Sequence, residues 1–405
     1  MHRVPLTRRT GVVSLLVAGA LVPVAVAVAA FAHNGEDTAT TAALPLHPVA
    51  GNFKPDDTRF EDCAEQTCYE QALGNVAYYE GPKAAMAVVD KTVAPEGDAQ
   101  SCHRIVHAIG AASLARYKGN VARTFAEGSA SCFSGYYHGV LERSLVGVRG
   151  YEPEALGRVA RGLCDDTELR TVRWLGYQCL HGLGHGLMIT SGYSLPLSLD
   201  VCNRLSAEWD RTSCKGGAFM ENISTSYGVA SRWVREDDPV YPCNWVDERD
   251  KVKCYEIVTS RILRVVGWDW DETAGICAAA EKGWVSACFR SFGRDAAGTT
   301  GLEPVKILEL CAIARAHGGE ASCITGAAVA MTGNFTSGEQ ASVLCDMAAS
   351  EFRERCYFAV GSIMGGFKAT PAERVADCRS LSAVERYLAQ CIRGVSRNLP
   401  AFVDQ

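Results

Sequence analysis

The sequence lacks a basic surplus. Its 40 lysines and arginines face 46 aspartates and glutamates, a formal charge of −6, and no basic stripe breaks the even scatter, which argues against nucleic acid as a partner. Several catalytic signatures are missing as well. There is no Cys-x2-Cys-His for covalent haem, no His-Glu-x2-His of a zinc protease, no Walker loop and no Gly-x-Ser-x-Gly elbow. Prolines number only fourteen, and with charge spread evenly they argue against long disordered tails. Histidine is scarce too, nine in all, of which His2, His33 and His47 precede the main body of the chain.

What is present begins with an export signal. Gly11 to Ala32 is an uncharged apolar run behind Arg3, Arg8 and Arg9, ending in Ala30-Phe31-Ala32, a small-x-small pattern ahead of a cleavage point. A run of this length serves either as a cleaved signal peptide over residues 1–32 or as an uncleaved membrane anchor with its basic end in the cytoplasm. Either way the remainder is extracytoplasmic, secreted or held to the membrane by residues 11–32. Residues 33–60 read as a polar linker, and residues 61–400 as the folded domain.

Export decides how the eighteen cysteines are read. In an oxidising compartment an even count at regular spacing implies disulfides rather than metal or redox chemistry. They fall into nine close pairs: Cys63/Cys68, Cys102/Cys132, Cys164/Cys179, Cys202/Cys214, Cys243/Cys254, Cys277/Cys288, Cys311/Cys323, Cys345/Cys356 and Cys378/Cys391. Partners 11 to 15 residues apart on one straight helix would lie about 16 to 22 Å apart, against the roughly 7 Å that a bond tolerates. A turn must separate them.

The last four pairs start 34, 34 and 33 residues apart, the rhythm of stacked helical hairpins. In one period Val305 to Arg315 reads as a first helix, His317-Gly318-Gly319 as a turn and Glu320 to Thr332 as a second helix; the next units place helices at Gln340 to Ser350, Tyr357 to Ile363, Glu373 to Leu381 and Val384 to Val395. The predicted fold is an all-α solenoid of hairpins with a period of about 34 residues and one local disulfide per hairpin. In period and hairpin form it resembles tetratricopeptide and Sel1-like repeats, including their disulfide-bearing secreted versions. Leu73-Gly74 with Tyr78 and Gly81 is the nearest fragment of the tetratricopeptide pattern. The resemblance implies architecture and no activity.

Aligning the second helices on their cysteine brings side chains into register. Three residues on stand Gly135, Gly182, Gly217, Ile257, Ser291, Gly326, Ala359 and Gly394, small in seven of eight, as close helix packing requires. Positions two and six past the cysteine form a stripe that includes His181/His185, Glu256/Ser260 and Arg290/Arg294, with His138 at position six of its helix.

Five histidines, His103, His107, His138, His181 and His185, concentrate in this stretch. Two pairs have the i, i+4 spacing that puts both imidazoles on one helix face, and neighbouring helices 8 to 10 Å apart let such faces converge on one ion or a close pair. Imidazole suits copper, iron or zinc, with Glu142 or Glu221 as further ligand or general base and Tyr137 as a proton donor or radical site. Arg290 and Arg294 are candidates to hold a substrate carboxylate or phosphate. The expectation is an exported metal-binding repeat protein acting on a small molecule or peptide, oxidatively or hydrolytically. The alternative is a non-catalytic envelope scaffold for a peptide or another exported protein. Trp268-Asp269-Trp270-Asp271-Glu272 reads as a helix start or as a cation or sugar site.

Overall fold

Disulfides divide the chain into hairpins. A computed structural model describes residues 51–93, 99–129, 131–132, 134–146, 153–224, 231–368 and 370–396. All nine bonds join the partners that spacing predicts, with Cα atoms 5.3 to 5.7 Å apart and no free cysteine among the described residues. Such a set fits an oxidising, extracytoplasmic compartment. No helix of the described residues is long and apolar enough to cross a membrane; the signal or anchor expected at 11–32 lies outside them.

Regular structure among the described residues is entirely helical. The first half holds α1 (Gln66–Tyr79), α2 (Pro82–Val88), α3 (Ala99–Arg116), α4 (Val121–Ala126), α5 (Gly135–Leu145), α6 (Pro153–Leu163), α7 (Thr167–Thr171), α8 (Arg173–Thr190), α9 (Leu195–Asn203) and α10 (Glu208–Ile223). The second holds α11 (Glu248–Tyr255), α12 (Thr259–Val265), α13 (Trp270–Ala278), α14 (Val285–Thr299), α15 (Pro304–Ile313), α16 (Glu320–Phe335), α17 (Glu339–Met347), α18 (Ser350–Met364), α19 (Pro371–Leu381) and α20 (Glu385–Val395).

Local chemistry sets the ends of these helices. Thr370 and Glu373 form a reciprocal capping box at α19, and Pro304 starts α15. The Asp269 carboxylate accepts from the amides of Asp271 and Glu272 at the start of α13, so the acidic Trp-Asp-Trp-Asp-Glu run is a helix cap. Gly318, with φ +73, turns the chain between α15 and α16 at the expected place. One boundary differs. Ala348 and Ala349 take extended backbone, so α17 stops at Met347 and α18 starts at Ser350, seven residues before the expected Tyr357.

The longer helices stack side by side, α1 to α3, α5, α8 and α10, and then α14 to α16, α18 and α20. Glycine makes the closest of these seams. A methyl at Gly217 would sit 1.8 Å from the His181 carbonyl oxygen, at Gly326 2.0 Å from that of Arg290, and at Gly394 2.3 Å from that of Phe358. The seams are reciprocal: Gly184, Gly293 and Gly361 approach the carbonyls of Cys214, Cys323 and Cys391 to 1.8–2.1 Å by the same measure. These three stand five residues after a cysteine, a position the alignment on small residues passed over.

The exception proves informative. Ile257 occupies the glycine position of its unit, and there the helix breaks between α11 and α12. A branched side chain forbids the backbone approach, and Thr259 instead bonds to Ser291 and Asp295 of α14. The buried apolar residues form two cores, one from Phe53 to Cys214 and one from Met188 to Val395, with the Ile257 break inside the second. Phe53, inside the segment read as a linker, is fully buried against Gly74. The Trp174 amide donates to the Gly366 carbonyl, and its indole packs 5.0 Å from the Phe367 ring, so the start of α8 meets the turn after α18.

Candidate metal centre

Three neighbouring helices deliver the five imidazoles. α3 presents His103 and His107 one turn apart, α5 presents His138, and α8 presents His181 and His185 one turn apart. The glycine seams bring these faces within reach: Gly139 of α5 lies on the His107 carbonyl and Gly182 of α8 faces the carbonyl of Tyr137. His138 sits in the middle, its ring centroid 5.2 Å from His103, 5.5 Å from His107, 5.4 Å from His181 and 4.0 Å from His185.

Hydrogen bonds fix which nitrogens face inward. His103 Nδ1 lies 2.8 Å from the Cys132 carbonyl oxygen, which only accepts, so Nδ1 carries the proton. His107 Nδ1 lies 3.4 Å from Glu142 Oε2 and His185 Nδ1 lies 2.8 Å from Glu221 Oε2; an ionised carboxylate likewise only accepts. Tyr193 donates to the other Glu221 oxygen at 2.8 Å, which anchors that carboxylate. His181 Nδ1 is 3.3 Å from the Tyr177 hydroxyl, which can donate or accept.

With their protons on Nδ1, His103, His107 and His185 direct their Nε2 lone pairs inward, toward the neighbouring ring of each pair. The two Nε2 atoms of His103 and His107 are 3.1 Å apart, and those of His181 and His185 3.3 Å. Where two such lone pairs face each other, as between His103 and His107, they repel unless a cation lies between them. Two ligands about 2.0 to 2.1 Å from one ion are separated by about 2.9 Å at a right angle and about 3.3 Å at the tetrahedral angle, which matches both pairs. A shared proton is the other remedy, and burial opposes it. It pushes His103 down to about 4, despite the opposing hydrogen bond to Cys132, and holds His138 and His181 well below the usual imidazole range, neighbouring imidazoles adding to the effect.

His138 is 1% exposed, and both of its ring nitrogens are buried without a hydrogen-bond partner. A buried imidazole left so costs on the order of 1 to 3 kcal/mol per polar group. The ligand nitrogens assemble into two groups within 4.8 Å, His103/His107/His138 and His138/His181/His185, with His138 common to both.

No protein family, curated protein or solved structure matches this chain. The site therefore stands on its own chemistry.

The other residues read from sequence lie around it. Glu142 and Glu221 reach imidazoles at Nδ1, behind the inward-facing edge. Tyr137 is buried against Phe125 and Tyr136, and burial pushes its hydroxyl up to about 12. Arg290 and Arg294 continue the stripe beyond the histidines: Arg290 pairs with Glu256 at 3.4 Å, and Arg294 donates to the Ile257 carbonyl, to Ser260 and to Asp295. Lys253 bonds Glu256 at 2.7 Å and acts electrostatically on His181, linking the ion pairs to the imidazoles. Tyr177, Tyr193 and the Cys132 carbonyl were not foreseen. Tyr177, four residues before His181, carried a readable spacing; Tyr193 lies past the end of α8 with φ +61, and nothing local announces it.

Proposed function

We propose that this is an exported metal-binding helical-repeat protein whose five-imidazole chamber holds a transition metal. The observation that carries the reading is the approach of Nε2 atoms to 3.1 and 3.3 Å, with Nδ1 of His103, His107 and His185 turned to oxygen acceptors. Carboxylates behind ligating histidines set the tautomer and raise ligand basicity. A donor set of imidazole, with no carboxylate in either group, favours copper or zinc over iron.

The chemistry that fits is that of a small molecule, or the holding of the metal itself. His107, His138, His181 and His185 are each 5% exposed or less, which disfavours a peptide reaching an ion among them. The metal, when bound, supplies Lewis-acid or redox reactivity; the protein orients the rings and excludes water. The likeness to tetratricopeptide and Sel1-like repeats belongs to the same reading, as the frame that stacks the helices.

Metal analysis of protein folded under oxidising conditions tests it. At least one equivalent of copper or zinc is expected, lost in a His103→Ala, His181→Ala double variant. Less than one equivalent at full loading, or affinity unchanged in that variant, overturns the reading.

A further inference from the structure

We infer that the chamber is built for two ions, with His138 as the ligand they share. The inference rests on the metal-binding reading and adds to it the number of ions and the role of the central imidazole.

A single ion cannot collect the ligands. Two nitrogens bound to one ion at about 2.0 to 2.1 Å lie at most about 4.2 Å apart, yet the five residues divide into two groups at a 4.8 Å limit instead of merging into one. Each group has its own opposed Nε2 pair, at 3.1 Å on α3 and 3.3 Å on α8. Each pair has its own carboxylate, Glu142 behind His107 and Glu221 behind His185. The two half-sites are thus equipped alike, and only His138 belongs to both.

His138 differs from the other four in having no acceptor at either nitrogen, although it is 1% exposed. Pinning one nitrogen to a carbonyl or carboxylate would leave the ring a terminal ligand. Leaving both bare suits a ring that gives one nitrogen to each ion. The single ring proton of neutral His138 then departs to solvent as the second ion binds, leaving an imidazolate whose charge the two cations balance. Bridging requires His138 to turn out of its stack on His185, where the rings lie 4.0 Å apart and 17° from parallel. Each ion so held has three nitrogens and a place for one small ligand such as water, dioxygen or a small anion.

The test is a copper(II) titration of the intact, disulfide-bonded protein, read by bound copper per chain and by electron paramagnetic resonance. The inference predicts two equivalents, with the signal at two equivalents reduced at least fivefold below that of two isolated ions through coupling across the imidazole. A His103→Ala variant, altered at the least buried ligand, should hold one equivalent and show an isolated copper signal. Two equivalents with full, uncoupled intensity would overturn the bridge. One equivalent in the unaltered protein would overturn the pair while leaving metal binding intact; none would overturn metal binding itself. Helix content and the count of free thiols, measured on each sample, separate loss of a ligand from loss of the fold.

Discussion

The seam between α8 and α10 and the seam between α14 and α16 are the same piece of backbone engineering with different side chains. In both, a glycine three residues past the second cysteine seats on the carbonyl of the residue two past the preceding one: Gly217 on His181, Gly326 on Arg290. In both, a reciprocal glycine, Gly184 or Gly293, seats on a cysteine carbonyl, Cys214 or Cys323. The positions that face along the stripe then diverge. They are His181 and His185 in one half and Arg290 and Arg294 in the other, the first pair opposed to each other and the second satisfied by Glu256, Ser260 and Asp295. The repeat provides a common frame, and the side chains at two positions per helix decide whether a seam carries ion pairs or clustered imidazoles.

Removing matched staples from the two halves gives the largest effect. Replacing Cys345 and Cys356 by serine should cost about 3 kcal/mol of stability and leave metal affinity unchanged. Replacing Cys102 and Cys132 should cost a similar amount and also weaken metal binding, since the Cys132 carbonyl holds His103 Nδ1. Thermal melts with metal titration check this; equal loss of metal binding in both variants would mean that the site depends only on overall stability.

Overpacking the glycine seams comes next. Gly217→Ala and Gly326→Ala should each destabilise by about 1 to 3 kcal/mol, because the added methyl meets carbonyl oxygen and not a movable side chain. Only Gly217→Ala should also lower metal affinity, by shifting His181. Denaturant midpoints compared with binding isotherms distinguish the two.

A smaller effect follows from changing the carboxylates. Glu221→Gln should lower metal affinity about 10- to 100-fold through the orientation of His185, whereas Glu256→Gln, in the charged seam, should leave it within about threefold. Isothermal titration with zinc reads both. The smallest effect is expected at His317, half-buried beside Asp271 at 3.4 Å and outside both metal-ligand groups. His317→Ala should change stability by less than about 1 kcal/mol and metal content not at all.

Much of the frame was readable from the chain itself. Close pairing along the chain predicts all nine bonds; the seven pairs 11 to 15 residues apart also demand a turn between partners, and small residues three past the second cysteine mark the seams in seven of eight units. The i, i+4 spacing of His103/His107 and His181/His185 likewise places each pair on one face. Other features depend on which helices become neighbours, which spacing does not encode. Glu142, one turn after His138, bonds His107 of the preceding helix instead, and Glu221 reaches His185 from α10. The break at Ile257 was visible as the one large residue among eight, but its consequence, two short helices and a Thr259–Ser291 hydrogen bond, required the neighbour's position.

The position of a bound ion is decisive. Anomalous diffraction at the absorption edge of bound copper or zinc would locate it directly: density within about 2.1 Å of Nε2 of both His103 and His107, or of both His181 and His185, is expected. Density at a carboxylate cluster elsewhere on the surface, with the imidazole pairs bare in metal-saturated crystals, would contradict it.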